Sequence, residues 1–331
     1  MYNFLLIRQR KEYLNHYTPG EREVVVLLRG LSRSHRSWLG FQHDLSEHFD
    51  VICLDLPGLG LSKQARPLWR VQAMAEELAS VIRQLPLRRC FIVAPSLGAM
   101  VSLELARVLP LGLVQGLVIM APSHSGVGFN RVTRKALQRF GRALRAPLPE
   151  RVALSQQTLV GRMPDGDSLS ETNPGRLQQW AEAMHLDSQE LGARGQLAQI
   201  AAALSYTSML GIQHVRTAQI PLKCVIPAQD QLIPVQHARE VYKQLKHPHA
   251  AVIELEHAGH DLVVTHDRQL RDIVTAFVKE LSTYTWPPES VAARQKALQQ
   301  EAQQRLYISL GLVSMGLFLL SWLFKDRSRQ R

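Results

Sequence analysis

The chain reads as an α/β protein: a mainly parallel sheet flanked by helices, a helical cap inserted before the last strands, and a carboxyl-terminal transmembrane helix. Three observations in its 331 residues lead there. Short apolar runs alternate with helix-patterned segments, the signature of βαβ units. Between the runs at 117–120 and 222–226 this alternation gives way, for about a hundred residues, to helices and loops, as in a lid or cap. Finally, Leu306–Phe324 carries no charge and lies between Arg305 and Lys325.

Taken in order, Phe4–Arg8 and Tyr13–Tyr17 form a plausible antiparallel pair, with Thr18-Pro19-Gly20-Glu21 turning the chain inward. Val24–Leu28 and Val51–Leu54 are the first core strands, and Phe91–Val93, Leu117–Met120, Leu222–Ile226 and Val252–Leu255 complete the set. Continuous Val, Leu and Ile suit strands buried on both faces. Helices are predicted near 36–48, 70–85, 98–109, 235–246 and 267–282. The domain so defined covers 1–282, with the cap at about 125–218. Residues 283–304 form a linker containing Trp286-Pro287-Pro288 and then an Ala- and Gln-rich helical stalk, 305–324 the membrane helix, and 325–331 a basic tail.

The uncharged run Leu306–Phe324 would span about 28 Å as a helix, close to the hydrocarbon thickness of a bilayer. Tyr307 and Trp322 sit near its ends, where amphipathic rings favour the interface. A buried core helix is the alternative, but such a helix rarely lacks any polar face and then runs into a basic tail. No amino-terminal secretory signal is visible, so the expected topology is a single pass at the carboxyl terminus with a cytoplasmic catalytic domain. The formal net charge of +11 is concentrated: residues 131–145 contain Arg131, Arg134, Lys135, Arg139, Arg142 and Arg145 and no acid. With Val132, Leu137, Phe140 and Leu144 as its apolar face, this segment predicts a basic amphipathic helix. Nothing resembles a nucleic-acid-binding module; the basic helix reads as a solvated face of the cap or as a surface for anionic lipid or an acidic substrate or carrier protein. Cys53, Cys90 and Cys224 lie in separate apolar runs, which points to buried, reduced thiols and neither a disulfide nor a metal site.

The chemistry-bearing motif is Ala94-Pro95-Ser96-Leu97-Gly98, between the strand ending at Val93 and the helix pattern from Ala99. A sharp strand–turn–helix junction lifts a serine hydroxyl out of the backbone, and small flanking residues are needed because strand and helix nearly touch there. A serine hydroxyl attacks poorly without a base oriented by a carboxylate. Downstream, Asp230 follows the strand ending at Ile226, and His260 follows the one ending at Leu255, so Ser96, Asp230 and His260 occur on three post-strand loops in that order. His257 is a rival base; Asp55, in a turn that an Asp commonly organises, and Asp261, adjacent to the base, are rival carboxylates.

With Leu28-Arg29-Gly30-Leu31-Ser32-Arg33-Ser34-His35-Arg36-Ser37-Trp38 and Asp55-Leu56-Pro57-Gly58-Leu59-Gly60-Leu61-Ser62, these segments make Val24–Leu281 resemble the α/β-hydrolase fold. The likeness is to capped carboxylesterases such as the pimeloyl-carrier-protein methyl ester esterases. The resemblance implies a nucleophile at Ser96, His260 as base, Asp230 as its orienting acid, an oxyanion hole from the backbone amides of Leu31 and Leu97, and no cofactor or metal. Trp38 is expected in the core or the substrate-pocket wall. The chain departs from the family pattern at Arg29, where His is usual, and at Ala94 and Pro95 of the elbow. The function expected is a membrane-anchored serine hydrolase acting on carboxylic esters or thioesters with an apolar acyl part. An acyltransferase of the same fold and a catalytically inactive binding protein are the alternatives.

Overall fold

Strands as apolar as Val24–Leu28, buried along their whole length, need cover on both faces, and helices supply it. The computed structural model describes residues 3–124, 131–143, 145–207, 209–284, 292, 295–300 and 303. Its strands are β1 (Phe4–Arg8), β2 (Lys11–Leu14), β3 (Val24–Leu28), β4 (Asp50–Leu54), β5 (Cys90–Pro95), β6 (Val114–Met120), β7 (Leu222–Pro227) and β8 (Ala250–Leu255). They form one sheet in the order β2-β1-β4-β3-β5-β6-β7-β8. All neighbours from β4 through β8 pair in parallel, while β1 is antiparallel to both β2 and β4.

The α-helices are α1 (Phe41–Leu45), α2 (Val71–Gln84), α3 (Leu97–Val108), α4 (Arg134–Ala143), α5 (Leu148–Leu159), α6 (Leu169–Thr172), α7 (Pro174–Ser205), α8 (Met209–Thr217), α9 (Val235–Leu245) and α10 (Asp267–Ser282). Helical spacing explains the packing of those on the sheet. Leu270, Val274, Phe277 and Val278 form the buried stripe of α10, and the Phe277 ring meets Phe91 edge-on at 6.3 Å. Cys53, Cys90 and Cys224 are buried free thiols, and burial pushes the last two up to about 12.

Three details differ from the sequence reading. The strand expected at Tyr13–Tyr17 is Lys11–Leu14, because Gln9 and Arg10 both take positive φ and close a two-residue hairpin turn. The helix expected over 36–48 splits into a 3₁₀ turn at His35–Trp38 and α1, since Leu39 and Gly40 between them are left-handed. The basic amphipathic segment is helical only over α4, starting where the Thr133 hydroxyl accepts the Ala136 N–H at 3.1 Å. Its expected apolar face is not buried as such: Ala136 and Ala143 are the buried residues, Leu137 is 59% exposed, and Leu144 lies outside the described residues.

Helices α4 to α8 occupy the insertion between β6 and β7. α7 is two helical segments joined at Gly192, whose φ of 62° and ψ of 175° break the helix. Its first segment is fastened to the loop after β3 by a buried carboxylate. Asp187 accepts from Ser34 N–H (2.7 Å), Ser34 Oγ (2.5 Å) and Ser37 Oγ (3.1 Å), and pairs with Arg36 at 3.1 Å. Glu190 accepts from Arg36 and from the Gly60 N–H, and Gln199 in the second segment accepts the Ser32 N–H at 2.7 Å.

Contacts divide the chain into Met1–Tyr284 and Thr285–Arg331. In the second unit, residues 295–300 are helical. The expected membrane helix at 305–324 and the basic tail at 325–331 lie outside the described residues. Among the described residues no helix is long and apolar enough to cross a membrane.

Replacing Asp187 by Ala strands the buried Ser34 amide and the Ser34 and Ser37 hydroxyls without their acceptor, while Arg36 keeps Glu190, so stability should fall by about 3 kcal/mol. Urea unfolding measures the loss, and faster proteolysis within 131–217 would mark release of the cap.

Candidate active site

Ser96 sits where β5 meets α3, with φ 53° and ψ −120°. That conformation costs a non-glycine residue on the order of 1–3 kcal/mol and persists only where the surroundings enforce it. Here the Ser96 N–H donates to Met120 O on β6 at 2.8 Å, and its carbonyl accepts the Met100 N–H at 3.2 Å. Close packing explains the small residues around it. A Cβ on Gly98 would stand 2.6 Å from Arg29 O, and one on Gly30 would stand 3.2 Å from Ser96 Cβ. The loop after β3 therefore lies directly against the serine. Leu31 follows Gly30 in that loop, and Leu97 opens α3, where the first amides have no partner within the helix.

The other two predicted groups meet. His260 Nδ1 and Asp230 Oδ2 are 2.7 Å apart, both side chains nearly buried. The second oxygen of Asp230 accepts the N–H groups of Leu232 (2.8 Å) and Ile233 (2.9 Å), which fixes the carboxylate. Their loops are tied by backbone bonds from Ala228 N to Leu255 O and from Gln229 N to Ala258 O. Burial by itself would lower the His260 pKa, but the charge and hydrogen bond of Asp230, and then the charge of Asp261, outweigh it and raise the pKa above 6.5. Among the described residues no hydrogen bond joins Ser96 Oγ to His260; such contacts commonly tighten only with substrate in place.

A buried network absent from the sequence reading links the two halves. Arg29 is ion-paired to Asp261 Oδ1, and Trp180 of α7 donates its indole N–H to Asp261 Oδ2 at 2.8 Å. Arg33 approaches the same carboxylate at 3.6 Å. Burial opposes ionisation of Asp261, yet Arg29, Arg33 and the Trp180 hydrogen bond hold its pKa down to about 2. Gly30, which lies against Ser96, follows Arg29 in the chain, and Asp261 follows His260, so the Arg29–Asp261 pair ties the loop beside the serine to the loop carrying the His260–Asp230 pair. The sequence held one signal for it: a cation at 29 in place of the usual His, and an anion directly after His260. Nothing in the sequence marked Trp180.

The rival residues have other roles. Asp55 accepts the N–H groups of His35 and Leu61 and pairs with the His35 ring, organising two loops. His257 contacts the side chain of Gln229 at 3.1 Å. Trp38 is fully buried in the core, stacked on Phe41 at 5.3 Å with the Arg29 guanidinium 4.8 Å from its ring centre, so core packing and not an open pocket wall describes it. The cap reaches the base loop as well. Asp261 N–H donates to Leu159 O and Arg162 N–H to His257 O, each at 2.8 Å, where Gly161 and Gly259 leave no room for a side chain.

Residues 23–267 match the family model described as alpha/beta hydrolase fold. The chain is 28% identical over 247 residues to RutD of Pantoea ananatis, which bears the name of a carbamate hydrolase, covering 74% of this chain and 84% of that protein. It is 23% identical over 254 residues to the pimeloyl-[acyl-carrier protein] methyl ester esterase of Pseudoalteromonas atlantica, covering 75% and 92%. Among solved structures, a thermophilic esterase from Thermogutta terrifontis superposes with a TM-score of 0.62 at 16% identity, covering 85% of this chain and 93% of that one.

Substituting Asp261 by Asn leaves Arg29 buried without its counter-charge and should cost about 3–5 kcal/mol. Because Asp261 titrates lower in the folded chain than its ordinary 3.8, its contribution is complete above about pH 5 and disappears as pH falls through about 2. Urea midpoints across that window should therefore change less with pH in the variant than in the wild type.

Proposed function

The chain belongs to the alpha/beta hydrolase fold family, and on that premise we propose that it is a serine hydrolase cleaving carboxylic esters or thioesters. The observation carrying this reading is the strained Ser96 elbow beside a loop that the Arg29–Asp261 ion pair braces against the loop of the buried His260–Asp230 pair. His260 takes the Ser96 proton as Oγ bonds to the acyl carbon, and the carbonyl oxygen becomes an oxyanion accepting from the Leu31 and Leu97 amides. Collapse expels the alcohol or thiol, which leaves with the proton from His260. Water, deprotonated by the same imidazole, then attacks the acyl-enzyme; the acid departs and the serine recovers its proton. Asp230 holds the imidazole and stabilises its charged form. Arg29 and Asp261 act as positioning residues, bracing the oxyanion loop against the base loop.

We further propose that Leu306–Phe324 anchors the chain in a membrane, because its length and lack of charge suit a bilayer. That location favours lipophilic acyl substrates. The names of two relatives, a carbamate hydrolase and a methyl ester esterase, both denote cleavage at an acyl carbonyl, which supports this reaction class. An acyltransferase would use the same acyl-enzyme; it is separated by adding competing alcohols and looking for transfer products.

A fluorophosphonate probe should label the wild type, and Ser96→Ala should abolish both labelling and turnover, by about 10³-fold or more in kcat. An unlabelled wild type would instead indicate a non-catalytic binding protein. The acid limb of kcat/KM should follow His260, with activity lost as pH falls through a pKa above 6.5. Asp261→Asn removes one of the charges raising that pKa, so the limb should move to lower pH. Comparing short with long acyl esters tests the substrate class, and a strict preference for small soluble esters would overturn it.

A further inference from the structure

The second segment of α7 is amphipathic in the wrong sense for a helix packed on a core. Its inward side carries the buried Ala198, Gln199 and Ala202, with Gln199 spending its oxygen on the Ser32 amide. Its outward side carries Leu197, Ile200 and Leu204, spaced three and four apart and 59%, 40% and 52% exposed. α8 continues the exposure with Met209 at 55% and Leu210 at 41%. A row of large aliphatic side chains on one solvent face is the pattern of an interaction surface.

Charge says which kind. Residues 131–149 and 191–217 contain no carboxylate, while the first stretch holds six Arg or Lys residues and the second adds Arg194 and Arg216. The two stretches adjoin, because the Arg131 guanidinium donates to the carbonyls of Ala203 and Tyr206 at the end of α7. Arg134 and Lys135, at the start of α4, are exposed, and Leu137 stands out beside them. Aliphatic side chains flanked mainly by cations, with Glu150 paired to Arg142 near the end of α4 at 3.2 Å, match the boundary of an anionic bilayer, where the former enter the acyl region and the latter meet headgroups. A second copy of the chain fits less well, since an isologous contact would bring two such cationic flanks together.

We propose that the outer face of the cap, formed by Leu197, Ile200, Leu204, Met209 and Leu210 with the cations of α4, docks onto the surface of a bilayer containing anionic lipid. This goes beyond the anchor at 306–324, which tethers the chain; the docking face fixes how the cap turns toward the lipid. It is also joined to the proposed site, because Thr133 at the root of α4 donates its N–H to Leu232 O, two residues after Asp230, at 2.9 Å.

The test uses the full chain reconstituted with phosphatidylcholine and phosphatidylserine vesicles in a roughly 7:3 ratio. The three native thiols are buried, so an environment-sensitive nitrobenzoxadiazole label can be directed to Ile200→Cys or Leu204→Cys, with Leu111→Cys outside the cap as reference. The expected result is a blue shift at 200 and 204 and quenching by lipid-borne nitroxides roughly threefold stronger than at 111. Both effects should weaken in vesicles of phosphatidylcholine alone and in Arg134→Gln/Lys135→Gln. Labels at 200 and 204 that stay in water while the chain floats with the vesicles would overturn the docking face and leave the anchor standing. A blue shift without quenching by the lipid nitroxides would overturn it in favour of a protein partner or a second copy. A chain that fails to float refutes the anchor; the docking face then stands or falls on whether the labels still enter added vesicles.

Discussion

The buried ion pair between Arg29 and Asp261 is the constraint on which the rest of the site depends. Arg29 lies one residue before the glycine that touches Ser96, and Asp261 lies one residue after His260. One contact therefore sets the distance between the loop after β3 and the loop after β8, which leave separate strands of the same sheet. Breaking such a pair is costly, because the surviving charge stays buried without compensation. The carboxylate also takes the Trp180 indole hydrogen bond, so the cap is registered to the same point. The cation at 29 is thus answered by an acid directly after His260.

The cap is held by hydrogen bonds as well as by the apolar burial of Leu159, Leu169 and Trp180 in the core. Asp187, Glu190 and Gln199 reach from α7 onto backbone amides and side chains of the 32–37 and 60–61 loops. Those amides belong to loops with no ladder partners of their own, and each would be expensive to bury unsatisfied. Satisfying them from above stiffens the loop that carries Leu31. The strain at Ser96 is enforced from below, by the hydrogen bond to β6 and the approach of Gly30. The site is clamped from two directions, the preorganisation that the proposed oxyanion-binding role of the Leu31 and Leu97 amides requires.

The same hydrogen bonding explains why the outside of the cap is free to be apolar. A helix whose inner face is Ala198, Gln199 and Ala202 is seated by small size and polar contacts, and its large aliphatic residues are left to the solvent side. Fold stability and surface chemistry are in this way assigned to opposite faces of α7.

Much of the architecture was legible in the sequence. Strand positions were readable because period and burial coincide in a doubly covered sheet: Val24–Leu28 has no polar residue to misplace it. The placement of Ser96, Asp230 and His260 on loops after strands was readable because parallel strands deliver their following loops to one edge. Turn details at Gln9-Arg10 and Leu39-Gly40 were not, since non-glycine residues there adopt left-handed backbone under tertiary pressure. The partners of Arg29, Asp261 and Asp187 were decided only by the folded structure. Ion pairs across 150 or more positions, such as Arg29 with Asp261 and Arg36 with Asp187, leave no periodic trace. Local sequence determines which elements form, whereas contacts between distant loops arise from how the sheet and cap bring them together.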